Sequence, residues 1–200
     1  MELRNFIDGK FIDSISKKNI PVLNPANQKI VGNIDEALDE EIDLAFQAAK
    51  RAFDKRILVD MDSKDKSNMM RAIAQKLRER KDEGGKLLSQ ENGKTINQCV
   101  DEFKGAADTF DFYAGLTDKI ENKLIPSGND TLNYVVLEPF GVALQIVPWN
   151  YPVSLFSGMV AQNWIVGNTI VIKPPELCPI SSNFYGQIFE EVGAVSYTHL

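Results

Sequence analysis

The chain has 200 residues, 44% of them hydrophobic and 25% charged, with a formal net charge of −6. This is enough chain to bury a sizeable core, and the acidic balance argues against nucleic acid or an anionic membrane as the main partner. A single histidine, His199, and two distant cysteines, Cys99 and Cys178, argue against a Ser/His/Asp or Cys/His catalytic group, a metal site or a disulfide framework.

The opening MELRNFIDGK has no apolar core and no small-residue cleavage pattern, so no secretory signal is read there and a cytoplasmic location is expected. Asn5 to Asp13 (NFIDGKFID) predicts a hairpin turning at Asp8-Gly9. Asp39 is the expected cap of a helix with Glu40 and Glu41 in its first turn and an apolar face of Ile42, Ala45, Phe46, Ala49 and Phe53. A second helix is expected from near Ser63 past Leu77. DEGGKLL should interrupt it before another helical stretch, because each interior glycine costs about 1 kcal/mol. Phe103, Ala106, Ala107, Phe110, Tyr113 and Ala114 form a further stripe at helical spacing, read as helix-packing core.

Near residue 130 the composition changes, which suggests a boundary. LNYVVLEPFG alternates like an exposed or half-buried strand. GVALQIVP reads as a strand covered on both faces, followed by a helix from Val153 to about Ile165. NTIVIKP reads as a second buried strand, and SSNFYGQIFEEV as a helix capped by Ser181 or Ser182. Strand, helix, strand, helix at this spacing predicts a parallel βαβ unit, hence an α/β fold. No charge occurs between Glu138 and Lys173. The run contains Pro148, Asn150, Pro152, Gly158, Gln162, Asn163 and Asn168, which suit lipid poorly, so no membrane span is expected.

In an open parallel sheet, ligands sit beyond the carboxyl ends of the strands. Two polar groups fall at such ends: VPWN after the first buried strand and KPPE after the second. No glycine-rich phosphate fingerprint occurs, so a nucleotide here would be held by side chains and main chain. Lys173 and Glu176 suit a ribose, as donor and acceptor for its hydroxyls; on spacing alone, a solvated turn is the better explanation of the two.

EPFGVALQIVPWNYP followed by GNTIVIKPPELCP closely resembles the aldehyde dehydrogenase superfamily, and FIDGKF, ENGK (Glu91 to Lys94) and LEPFG resemble its amino-terminal segments in the same order. The resemblance covers about residues 5 to 194. It implies an amino-terminal helical region (1–130) leading into the first βαβ units of a parallel-sheet cofactor domain (131–194), truncated there. It implies that the Asn150 amide donates to the oxyanion formed when a thiolate attacks an aldehyde. Ile146, Val147, Pro148 and Trp149 would line the cofactor groove, Lys173 and Glu176 would hold the adenosine ribose, and Tyr151 and Leu155 would face the substrate tunnel. The implied cofactor is NAD rather than NADP, since the Glu176 carboxylate would repel a 2′-phosphate. The implied reaction oxidises a small-molecule aldehyde to a carboxylic acid through a cysteine thioester. A homodimer or homotetramer, joined through a hairpin near residues 125 to 143, is the expected assembly.

Several positions depart from the family pattern. Pro175 stands where Ser or Ala is common, Met159 replaces a basic residue, and Gln162-Asn163-Trp164 replaces Pro-Ala-Leu, which hints at unusual helix packing or an unusual substrate pocket. The family's nucleophilic cysteine and general-base glutamate have no counterparts here. Cys99 and Cys178 do not sit in the matching context, so the 200-residue piece is expected to be inactive by itself. Val195 to Leu200 (VSYTHL) reverse-translates as GTC TCT TAT ACA CAT CTN, the end of a transposase adapter used in sequencing libraries, and is expected to be artefact. An acylating relative that passes the acyl group to coenzyme A, and a non-catalytic structural or binding homologue, are the alternatives.

Overall fold

A computed structural model describes residues 2–16, 18–194 and 198–199. β1 (Glu2–Leu3) runs parallel to β5 (Ile30–Asp35), which pairs antiparallel with β4 (Asn19–Leu23) in a three-stranded sheet. Between them, β2 (Asn5–Ile7) and β3 (Lys10–Ile12) form the expected hairpin. Asp8 and Gly9 both take positive φ, 51° and 75°, the backbone that an Asp-Gly turn tolerates at low cost.

Four helices follow: α1 (Asp39–Asp54), α2 (Ser63–Glu79), α3 (Lys81–Asn92) and α4 (Ile96–Ala114). The cap position of α1 is Leu38, one residue earlier than expected, and Glu41 accepts a hydrogen bond from the Leu38 N–H at 2.9 Å. Glu41 also accepts from Asn5 Nδ2 and Ser14 Oγ, so a buried carboxylate ties the first strands to α1. Ala45 and Ala49 are buried as expected, whereas Ile42 is exposed and borders a cavity.

The glycine pair does not interrupt a helix. The break falls at Arg80, and Gly84 and Gly85 lie inside α3. A Cβ at Gly84 would meet the Phe103 ring at 2.4 Å, and one at Gly85 would meet Val100 at 2.7 Å. The propensity cost is accepted there because it lets α3 and α4 approach closely.

β6 (Lys123–Ile125) and β7 (Asn133–Val135) form a further hairpin whose strand residues are all exposed. β8 (Val142–Ile146), α5 (Pro152–Ile165), β9 (Thr169–Lys173), α6 (Ile180–Val192) and β10 (Thr198–His199) complete the chain order, with a parallel sheet in the order β10-β9-β8. β9 is buried up to Lys173, as read from sequence. β8 is not covered on both faces: Leu144 and Ile146 are exposed at 52% and 65%, because that face opens into the cavity described below. α6 is capped at Pro179 rather than at Ser181 or Ser182; its first N–H groups are satisfied by a carboxylate from another helix. Of the proposed adapter segment, Thr198 and His199 lie beside β9, and Val195 to Tyr197 and Leu200 lie outside the described residues.

The main core draws side chains from both sides of residue 130. Phe103 and Phe110 of α4 pack with Phe156 and Trp164 of α5 and with Tyr185 and Phe189 of α6, all essentially without solvent exposure. Rings stack closely there, with Phe156 and Tyr185 centroids 4.2 Å apart. Among the described residues, no helix is long and apolar enough to cross a membrane.

Candidate functional site

Sheet register sets the site. Ile146, the last residue of β8, is the direct partner of Lys173, the last residue of β9, and the Val147 N–H donates to the Lys173 carbonyl at 3.1 Å. Both strands therefore end side by side, and the polar groups predicted after each emerge together. Beside them is a cavity of about 470 Å³. Its walls are mainly apolar, with Ile7, Ile20 and Phe46 facing Leu144, Ile146 and Val171. Lys173 and Glu176 also line it. Lys173 Nζ hydrogen-bonds Glu176 Oε2, and this ammonium holds the Glu176 carboxyl below its usual pKa. Both side chains are more than half exposed, so the pair is free to exchange partners.

Of the residues assigned to the cofactor groove, Ile146, Lys173 and Glu176 meet at this cavity. The Val147 side chain is buried in the core, which leaves its main chain at the strand end. Pro148, Trp149, Asn150, Tyr151 and Leu155 lie outside the cavity wall, on the turn and first helical turn beyond β8. Trp149 and Tyr151 are exposed at 60% and 55%, and Asn150 is exposed between them. The Asn150 amide makes no hydrogen bond with any other described residue, so its donors are available to a ligand.

The turn itself is tightly held. Pro152 opens α5 at a position where its missing N–H costs nothing. The next two N–H groups, of Val153 and Ser154, donate to Glu102 Oε1 at 3.1 Å each. Glu102 reaches them from α4 with its side chain only 2% exposed, and its other oxygen accepts from Lys94 Nζ at 2.7 Å. The Lys94 ammonium also sits 3.9 Å above the centre of the Tyr151 ring. From the end of α3, Asn92 Nδ2 donates to the Trp149 carbonyl at 2.8 Å, and Cys178 Sγ contacts the same oxygen at 3.5 Å.

The same short segment also holds the second turn. Glu91 accepts hydrogen bonds from the Ile180 and Ser181 N–H groups at 2.6 and 2.7 Å, capping α6. Burial pushes its carboxyl up to about 7, against the opposing pull of those hydrogen bonds. Glu91-Asn92-Gly93-Lys94 thus braces both strand-end turns, and Gly93 makes the reversal with φ of 84°.

Sequence reading noted this segment only as a likeness and missed Glu102 altogether. A signal was present: Glu102 stands three residues after Cys99 and four before Ala106, a charge set into a helical face that is otherwise apolar. Burial pushes the Cys99 thiol up to about 11 and that of Cys178 up to about 12, so both stay protonated near neutrality, opposite to what a nucleophile requires. The amides of the departing segment also find local roles. Asn163 Nδ2 donates to the Met159 carbonyl, and Asn163 Oδ1 accepts from Asn168, whose own Oδ1 accepts from the Gly141 N–H. Gln162 donates to the Tyr113 hydroxyl at 2.6 Å beside a second, open cleft between α4 and α5, of about 410 Å³, which Ser154 and Gly158 also line. No group of three or more potential metal ligands occurs among the described residues.

Residues 11–195 match the profile described as "Aldehyde dehydrogenase family". The chain is 36% identical over 195 residues to the peroxisomal aminoaldehyde dehydrogenase 1 of Pisum sativum, covering 94% of this chain and 39% of that protein. It is 34% identical over 189 residues to the betaine aldehyde dehydrogenase of Bacillus subtilis (strain 168), again covering 94% and 39%. Among solved structures, the NAD+ complex of an aldehyde dehydrogenase from Bacillus cereus superposes with a TM-score of 0.96 at 32% identity, over 100% of this chain and 41% of that one. The chain therefore spans about two fifths of the length of the relatives it matches.

Proposed function

The chain belongs to the aldehyde dehydrogenase family, and we propose that it carries the nucleotide-binding strand ends and the oxyanion donor of an NAD-dependent enzyme that oxidises an aldehyde to a carboxylic acid through a cysteine thioester. The observation that carries this reading is the pairing of Ile146 with Lys173, which sets the Asn150 turn and the Lys173–Glu176 pair at adjacent strand ends. The cavity suits the adenosine half of a dinucleotide. Apolar side chains can flank a flat base, and a donor and an acceptor at the wall can engage sugar hydroxyls. Bound NAD would supply the hydride acceptor. This chain's own part is to orient that nucleotide and to present the unengaged Asn150 amide to developing negative charge, an interaction worth about 3 kcal/mol in comparable oxyanion sites.

Glu176 favours NAD over NADP, because a 2′-phosphate would meet a carboxylate kept ionised by Lys173. The nucleophile lies outside these residues, since both cysteines are buried protonated thiols, and the chain alone oxidises no aldehyde. The hairpin β6–β7, with Leu124 and Tyr134 exposed at 71% and 59%, supplies the surface for homodimer or homotetramer formation. Calorimetric titration tests the nucleotide reading. NAD should bind more tightly than NADP, and Glu176→Gln should narrow that gap. No heat with NAD, or tighter binding of NADP, would overturn it.

A further inference from the structure

The Asn150 turn has no regular secondary structure of its own, yet both flanks are fastened. Upstream, the Trp149 carbonyl is held by Asn92. Downstream, Tyr151 lies under the Lys94 ammonium, and the first N–H groups of α5 are tied to Glu102. Glu102 itself is 98% removed from solvent by its 2% side-chain exposure, and a carboxylate is buried at this cost only when paired and hydrogen-bonded. Its two oxygens divide the work: Oε1 faces the helix N–H groups and Oε2 faces Lys94.

We propose that Glu102 and Lys94 are positioning residues for Asn150, forming a clamp that fixes the direction in which the exposed amide points. The inference rests on the oxyanion role given to Asn150 above. The chemistry favours a directional function over simple capping. Glu91 caps α6 from a distant helix without a cation, whereas Glu102, also distant, brings with it a cation that pins the residue beside Asn150. Neither residue lines the cavity, and both meet the Asn150 segment at its flanks, through Tyr151 and the first N–H groups of α5. Glu102→Gln keeps an acceptor for the helix N–H groups but removes the charge that holds Lys94. Lys94→Met keeps the hydrogen bonds of Glu102 to the helix N–H groups but removes its cation partner and the cation over Tyr151. Both variants thus break the charge pairing, from opposite sides, while leaving an acceptor for the helix N–H groups.

The test is nitrogen-15 relaxation on the full chain, with urea unfolding and an NAD titration on the same samples. In the wild type, the backbone N–H groups of Trp149, Asn150 and Tyr151 should show order parameters of about 0.85, and in Lys94→Met and Glu102→Gln those of Asn150 and Tyr151 should fall below about 0.6. Asn163 and Asn168, bound into their own network, should stay unchanged and serve as internal references. Lys94→Arg, which retains the cation, should restore the order. A lower unfolding midpoint with order parameters at Asn150 and Tyr151 unchanged would make both residues merely structural and overturn the proposal. Should Glu102→Gln not fold, Lys94→Met, whose residue is only partly buried, decides alone. Loss of order with no NAD binding by the wild type would keep the clamp and reject the nucleotide reading; NAD binding with a rigid turn in both variants would do the reverse.

Discussion

The two strand-end turns differ in how they are held. The turn after β8 presents an unengaged Asn150 amide on a backbone fastened by buried Glu102 and partly buried Asn92 and Lys94. The turn after β9, braced at its far end by Glu91, presents an ion pair, Lys173–Glu176, that faces solvent. The contrast fits the roles proposed for the two groups. A hydrogen-bond donor for a developing oxyanion works through fixed direction, which needs a rigid mount. A recognition pair for hydroxyls must release its own partner to take up a ligand, which favours exposure and weak mutual attraction.

The contrast predicts that substitutions among the bracing residues act mainly on stability and those of the solvated pair mainly on nucleotide affinity. The largest effect belongs to Glu102→Ala, which leaves two helix N–H groups and the Lys94 ammonium without their buried partner. It should cost about 3–5 kcal/mol in urea unfolding. Next comes the pH dependence carried by Glu91. Its carboxyl titrates at about 7 in the folded chain against an ordinary 4.5, so between those values the folded state binds more protons than the unfolded state. Stability should therefore fall as pH rises from about 4.5 through 7, by about 3 kcal/mol in all, and Glu91→Gln should flatten that slope in unfolding midpoints measured across the range.

Gly84→Ala should cost about 1–3 kcal/mol, because the added methyl would press α3 away from the Phe103 ring and shift Glu91 to Lys94 with it. The smallest stability effect belongs to Glu176→Ala. The unfolding midpoint should not move, while calorimetry should show weaker NAD binding. A large loss of stability at Glu176, or none at Glu102, would erase the distinction between the two turns.

Much of this arrangement was legible in the sequence because it depends on local pattern. The Asp8-Gly9 hairpin, the apolar strand Thr169–Lys173 and the stripe from Phe103 to Ala114 each carry their own period or turn chemistry. The likeness of PWN and KPPE to a known pair of strand ends pointed to the region proposed as the site. What was not legible depends on contacts distant in sequence. Gly84 and Gly85 read as a helix break, but they are small because Phe103 and Val100 occupy the space beside them. β8 read as doubly covered, whereas its second apolar face opens into a cavity formed with the first strands and α1. Ser181 and Ser182 read as caps, whereas Glu91 performs that role from α3. Glu102 is the most instructive omission, since a lone carboxylate on an apolar stripe signals a buried partner before any coordinates are known.

The most direct measurement of the central claim is a nitrogen-15 correlation spectrum of the chain titrated with NAD. If the two strand ends form one nucleotide site, the largest shifts should fall together on Ile146, Val147, Trp149 and Asn150 and on Lys173 and Glu176, with the same midpoint. Shifts confined to one turn, or centred on residues away from both, would contradict the claim.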